Sequence, residues 1–217
     1  MIGALFIFLG SLIAYLLGSI PTAVWLGRAQ FGIDIRDYGS GNAGATNTFR
    51  VLGKKAGSLV MAVDVFKGFT ATALAGFLLD LNVNLTDNQF ILCQLFFGIL
   101  AVVGHIFPLF AKFKGGKGVA TLLGMVLAVN LPVALACLAI FVLVFLTTKY
   151  VSLGSILAAL SFPLMIMIPR INPDDPNPLV FVFGIVMFSV VVFTHQKNIR
   201  RLIKGNENKA RIFRGRD

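Results

Sequence analysis

GVATLLGMVLAVNLPVALACLAIFVLVFLT, residues 118–147, contains no Asp, Glu, Lys or Arg. As one unbroken helix it would be about 45 Å long, well beyond a hydrocarbon core of ~30 Å. Its middle reads Asn130-Leu131-Pro132. Proline suits the first turn of a new helix, and the residue before it is biased away from helical conformation. The stretch is therefore read as two short helices, 118–129 and 131–147.

Working outward, residues 3–27, 57–79, 89–111, 151–169 and 179–194 are almost free of charge as well. The chain is 57% hydrophobic and 13% charged, more apolar surface than a soluble domain of this length can hide. Backbone polar groups cannot stay unpaired in lipid, so these blocks should be helices. The first block has no basic residue before it and no small-x-small cleavage site, so it reads as a membrane helix, not a signal peptide. The expected fold is all-α: a polytopic integral membrane protein with seven transmembrane helices, some short.

Charge sets the orientation. With seven spans, 17 of the 19 Lys and Arg fall on one side, in 28–56, 112–117, Lys149 and the tail from Lys197. Arg170 lies opposite, with Asp80, Asp87, Asp174 and Asp175, and Lys67 sits within the second span. With six spans the basic tail would face away from 28–56. The positive-inside rule therefore favours an outer N-terminus and a cytoplasmic C-terminus. Segment 118–129 is short for a full crossing and could instead be a half-helix entering from the cytoplasm. Chain 1–217 is read as one membrane domain with a basic tail over 195–217.

The net charge of +10 fits anionic lipids and substrates. No aromatic-basic repeat supports nucleic-acid binding. Cys93 and Cys137 lie inside apolar blocks and read as small hydrophobes. His105 and His195 are too isolated for a zinc cluster, and no cofactor is expected. The outer loop 168–178, IPRINPDDPNP, is assigned no chemistry.

Three inner segments break the apolar background. GSGNAGATNTFR, 39–50, mixes turn-forming glycines with Ser40, Asn42, Thr46 and Asn47 and ends in Arg50, a side chain shaped for phosphate. GHIFPLFAKFKGGKGVAT, 104–121, places Lys114, Gly115, Gly116, Lys117 and Gly118 at the start of an apolar helix. Backbone N–H groups, a helix N-terminus and two lysines make an anion cradle there. It is not a Walker A loop, because the required spacing is absent. In THQKNIRRLIKGNENKAR, 194–211, His195 and Asn198 are three apart and share a helix face. The basic run after them also suits a juxtamembrane helix on anionic headgroups. Glu207 could pair locally or orient a lysine. Within the second span, Asp64 and Lys67 are either a functional pair or a self-neutralising one. Ser152 and Ser155 are helix caps or pocket hydroxyls.

Together, SGNAGATNTFR (40–50), GHIFPLFAKFKGGKGVAT (104–121) and HQKNIRRLIKGNE (195–207), in this order, strongly resemble the bacterial acyl-phosphate:glycerol-3-phosphate acyltransferases of the PlsY family. The likeness covers essentially the whole chain. It implies a multi-pass enzyme of the bacterial inner membrane with its active site facing the cytoplasm. The implied reaction is the first step of phospholipid synthesis: the sn-1 hydroxyl of glycerol 3-phosphate attacks a fatty acyl phosphate, giving lysophosphatidic acid and phosphate. It also implies neighbouring enzymes, one making acyl phosphate and one adding the second chain. By this resemblance Ser40, Arg50, Lys117, His195 and Asn198 are the catalytic set. Asn42, Asn47, Lys114, Gly115, Gly116, Gly118, Ser155 and Glu207 are then assigned to substrate binding.

The chemistry is compatible. An acyl phosphate is a mixed anhydride with a good leaving group, so no covalent intermediate is needed. Holding hydroxyl and carbonyl in attack geometry can supply roughly 7–11 kcal/mol. Lys117 and Arg50 would neutralise phosphate charge and a developing oxyanion. The hydroxyl proton has two acceptors open to it, the substrate phosphate and His195. The His-x4-Asp acyltransferase dyad is missing: Phe110 and Arg200 stand five residues after the two histidines. The rival class is an organic-phosphate transporter, which would fit an intramembrane Asp64–Lys67 pair and a half-length span.

Overall fold

A computed structural model describes residues 2–81, 83–173 and 176–210. Asp174 and Asp175 of the outer loop, and Arg211, Arg214 and Arg216 of the basic tail, lie outside the described residues. Among those described there are helices and no strands. The chain forms two compact units, one up to Asn130 and one from Leu131 onward.

The first unit holds α1 (Ile2–Gly18), α2 (Thr22–Phe31), α3 (Ala45–Val51), α4 (Lys54–Ala73), α5 (Gly76–Asp80), α6 (Asp87–Ile106) and α7 (Val119–Val129). The expected single span over 3–27 is two helices, bent by 43° at Ser19-Ile20-Pro21. The cause is Pro21, which has no N–H to donate and whose ring excludes the preceding helical turn. α4 opens at Lys54, earlier than expected, and α5 extends it to Asp80. Thr86 and Gln89 form a reciprocal capping box that starts α6.

The second unit holds α8 (Leu131–Thr148), α9 (Val151–Ile166), α10 (Pro178–Thr194) and α11 (Gln196–Ile203). The break at Asn130 falls where the sequence places it. Asn130 is extended, with φ −151° and ψ 94°, and Pro132 sits in the first turn of α8.

Among the described residues, not every apolar helix is long enough to cross a membrane. Three stretches, Lys54–Asp80, Asp87–Ala111 and Leu131–Thr148, suffice to cross a membrane, or up to five if each bent pair counts as one span. α7 has 11 residues and α9 has 16. At 1.5 Å per residue they reach about 16 and 24 Å, less than the hydrocarbon core. Phe8, Phe66, Leu143, Val182 and Phe193 point outward, which suits lipid as solvent.

Lipid tails give packed helices no hydrophobic reward, so close backbone approach must hold them. α4 and α7 meet through Gly68 and Gly124. A Cβ on Gly68 would strike the Thr121 carbonyl, and one on Gly124 the Val65 carbonyl. α1 and α6 use Gly18 and Gly104 in the same way, against Ala101 and Tyr15. In the second unit, Gly154 of α9 admits Phe141 of α8, and Gly184 of α10 admits Phe162 and Pro163 of α9. Gly124→Val is expected to destabilise the protein by roughly 1–3 kcal/mol, because the obstacle is backbone and cannot rotate away. Thermal unfolding in detergent measures this; an unchanged Tm would remove the close-packing account.

Candidate active site

In the first unit the polar segment after α2 is built around two side chains. Asp34 accepts hydrogen bonds from Arg36 Nε (2.9 Å), Arg36 Nη2 (2.7 Å) and Arg28 Nη2 (2.8 Å). The Arg36 guanidinium holds the Asp34 carboxyl well below the usual carboxylate range, against the opposing pull of burial. Arg36 Nη1 also donates to the Ala111 carbonyl at 2.9 Å, tying this segment to the loop after α6. Asn47, on α3, is 1% exposed. Its Oδ1 accepts from the Ser40 amide (2.9 Å), and its Nδ2 donates to the carbonyls of Ile35 and Tyr38 (3.0 Å each). One carboxamide thus folds residues 35–40 back onto α3. Ser40 and Arg50 remain exposed, and Arg50 Nη1 lies 3.5 Å from Asn47 Oδ1. Asn42 is half-buried in the same loop.

The loop after α6 departs from the expected cradle. The Gly115 amide donates to the Ile106 carbonyl (3.2 Å) and the Gly116 amide to the His105 carbonyl (3.1 Å). These two glycines cap the C-terminus of α6, so their amides are already committed. Gly115 has no room for a Cβ, which would meet the His105 carbonyl. The anion-attracting end narrows to the N-terminus of α7. Gly118, left-handed at φ 81°, turns the chain there, directly after the half-buried Lys117. Lys114 is exposed beside it.

In the second unit His195 occupies the corner where α10 and α11 bend by 67°. It is buried, and its Nδ1 is 2.8 Å from the Val191 carbonyl. A carbonyl only accepts, so Nδ1 carries the proton, and in the neutral ring Nε2 carries the lone pair. Asn198 Nδ2 donates to Glu207 Oε1 (2.6 Å), Ser152 Oγ donates to the same oxygen (3.0 Å), and Arg201 Nε donates to Oε2 (2.6 Å). Ser155 donates back to the Val151 carbonyl at 2.9 Å. Neither serine caps α9, whose N-cap is Tyr150. The chain after α11 returns to the α8–α9 corner: Lys209 Nζ lies 5.7 Å from the Tyr150 ring centre, and the Ala210 amide donates to the Lys149 carbonyl (2.9 Å). This part of the basic tail is therefore fastened to the protein through Glu207.

Burial pushes the Glu207 carboxyl up, but hydrogen bonds from Arg201, Asn198 and Ser152 outweigh it and hold the group below its ordinary value of 4.5. A carboxylate with a depressed folded pKa stabilises the fold above its unfolded value and loses that contribution on acidification. The Tm of Glu207→Gln should therefore lie below that of the unsubstituted protein at pH 7. The gap should shrink as pH falls below about 4.5. Melts from pH 7 to pH 3 check this, and a gap independent of pH would sink it.

Sequence reasoning passed over Asp34 and Arg36, because an Asp-x-Arg pair in a loop carries no periodic signal. It also gave no sign that Ser152 and Glu207, 55 residues apart, would meet.

The fold and these groups define an all-helical integral membrane protein with glycine-shaped polar loops that carry cations, and a buried histidine whose Nδ1 is held by a backbone carbonyl. The glycerol-3-phosphate acyltransferase family model matches residues 8–205, and the chain belongs to this family. It is 42% identical to the glycerol-3-phosphate acyltransferase of Salinibacter ruber, over 93% of this chain and 91% of that one. A Listeria monocytogenes protein of the same name is 44% identical, over 93% and 95%. The crystal structure of PlsY, an integral membrane glycerol 3-phosphate acyltransferase, in its glycerol 3-phosphate form superposes with a TM-score of 0.80 at 38% identity, covering 94% of each chain. Its lysophosphatidic acid form gives 0.78 at 37%, again over 94% of each.

Proposed function

We propose that this acyltransferase takes its acyl group from a fatty acyl phosphate and places it on the sn-1 hydroxyl of glycerol 3-phosphate. The observation that carries this is Lys117-Gly118 at the amino end of α7, a full positive charge beside a helix N-terminus. The homologue's glycerol 3-phosphate and lysophosphatidic acid forms support the same substrate and product. In the reaction the sn-1 oxygen bonds to the acyl carbon, and the bond from that carbon to the phosphate oxygen breaks. Phosphate leaves with the electron pair, without a covalent enzyme intermediate. The hydroxyl proton passes to the substrate phosphate or to His195 Nε2, which the Nδ1 hydrogen bond leaves basic in the neutral ring.

Lys117 and Arg50 neutralise phosphate charge, and Ser40, Asn42, Lys114 and Gly118 bind around them. Asn47, Gly115 and Gly116 shape the two loops of the first unit. In the second unit Glu207 holds Asn198, and Ser155 lends a hydroxyl for substrate. The chain is read as one acyltransferase domain, multi-pass in the bacterial inner membrane. Seven membrane helices with the C-terminus inside put its basic segments in the cytoplasm.

The test is phosphate release by purified protein from palmitoyl phosphate, with and without glycerol 3-phosphate, beside release of the CoA thiol from palmitoyl-CoA. Release that needs glycerol 3-phosphate, with no transfer from the thioester, is expected. Transfer from the thioester alone would overturn the donor assignment. No dependence on glycerol 3-phosphate would overturn the reaction.

A further inference from the structure

Buried in the first unit, three ionisable side chains converge. Lys67 Nζ lies 2.8 Å from Asp64 Oδ1, one turn back on α4. His105 Nδ1, from the last turn of α6, lies 3.6 Å from that same oxygen. Lys67 Nζ also donates to the Ile20 carbonyl at 3.0 Å, inside the break between α1 and α2. All three are nearly fully buried, at 2, 3 and 6% exposure.

The cluster costs desolvation that an apolar trio would avoid. What it touches gives the reason to retain it. The His105 carbonyl accepts the Gly116 amide, and the neighbouring Ile106 carbonyl accepts the Gly115 amide. On the other side of the residue, the His105 ring lies so close to Gly116 that a Cβ there would collide with Nε2. His105 therefore grips Gly116 through its backbone and its ring at once. Asp64 Oδ1 faces the other ring nitrogen across 3.6 Å, beyond hydrogen-bond length, so Nδ1 is buried without a hydrogen-bond partner among the described residues, while Lys67 holds Asp64.

We propose that His105, packed between the buried Asp64–Lys67 pair and Gly116, is a positioning residue for the phosphate-binding loop. It sets the place of Lys117, one residue beyond its contact with Gly116. This rests on the acyltransferase reading above, with Lys117 as the phosphate ligand. The ring does not touch substrate; it sets where the lysine and the α7 N-terminus stand.

The test is steady-state kinetics on the full chain in detergent, with Tm measured beside it. His105→Ala is expected to raise KM for glycerol 3-phosphate tenfold or more and to leave KM for acyl phosphate within twofold. His105→Asn, which keeps a polar group facing Asp64 and part of the packing on Gly116, should recover part of the loss. Asp64→Asn, nearly isosteric, should shift the same KM in the same direction. Gly116→Ala should raise that KM in the unsubstituted background and add less than twofold to His105→Ala, because removing the ring makes room. Equal losses for both substrates, a fall in Tm with KM unchanged, or additive effects of the two substitutions would each overturn the proposal. The unsubstituted enzyme separates the two levels: if it shows no glycerol 3-phosphate-dependent release, the acyltransferase reading fails. If it is active and the variants keep its KM, only the role of His105 fails.

Discussion

Lys67→Met is expected to lower stability by about 3–5 kcal/mol, the usual cost of leaving one member of a buried ion pair without its partner. The lysine is 3% exposed and donates to both Asp64 and the Ile20 carbonyl. Its removal leaves a buried carboxylate without its ion-pair partner, and also releases the backbone at the α1–α2 bend. For a chain of this size a Tm fall of roughly 10 °C should follow. The double variant Asp64→Leu/Lys67→Met removes both charges and should recover a large part of that loss, since an apolar pair carries no desolvation cost. Thermal unfolding of the three proteins in one detergent decides the matter. A Lys67→Met protein that melts with its parent would show that the pair is energetically idle.

The second large effect concerns turnover. Lys117→Ala should reduce kcat/KM for glycerol 3-phosphate by about 10²–10³, the range for deleting one preorganised charge-stabilising donor. The loop offers little to replace it. Gly115 and Gly116 have spent their amides on α6, and the α7 N-terminus supplies only about half a charge. Tm measured beside the kinetics separates a loss of turnover from a loss of fold. Phosphate release at varied glycerol 3-phosphate gives the number. A variant retaining a third of the activity would move the anion site elsewhere, Arg50 being the next candidate.

These two lysines illustrate what each level of description contains. Lys117 stood out in the chain because its neighbours are glycines at the mouth of an apolar run, a purely local pattern. Lys67 stood out as a charge in a span, but its partners were only half legible. Asp64 is one helical turn away, and spacing suggests it. His105 and Ile20 are brought to the same point only when α6 and the α1–α2 break pack on α4. The Asn130 break was readable because Pro132 acts on its immediate neighbours. The Pro21 break obeys the same rule, yet it was absorbed into a block whose hydropathy runs on unchanged through the bend. Hydropathy counts transfer to lipid and is blind to a turn that stays within it.

By itself, then, the sequence determined an all-helical membrane protein, the clustering of its cations, and the three polar segments that break its apolar background. These follow from the backbone's need for internal hydrogen bonds in lipid and from short-range spacing. Tertiary structure alone decided which polar groups are spent on holding the fold. Asn47 closes its own loop, the Gly115 and Gly116 amides cap α6, and Glu207 gathers Asn198, Arg201 and Ser152. A side chain's chemistry is written in its identity. Whether that chemistry is available for a substrate depends on partners far away in the chain, and only packing brings those partners within hydrogen-bonding distance.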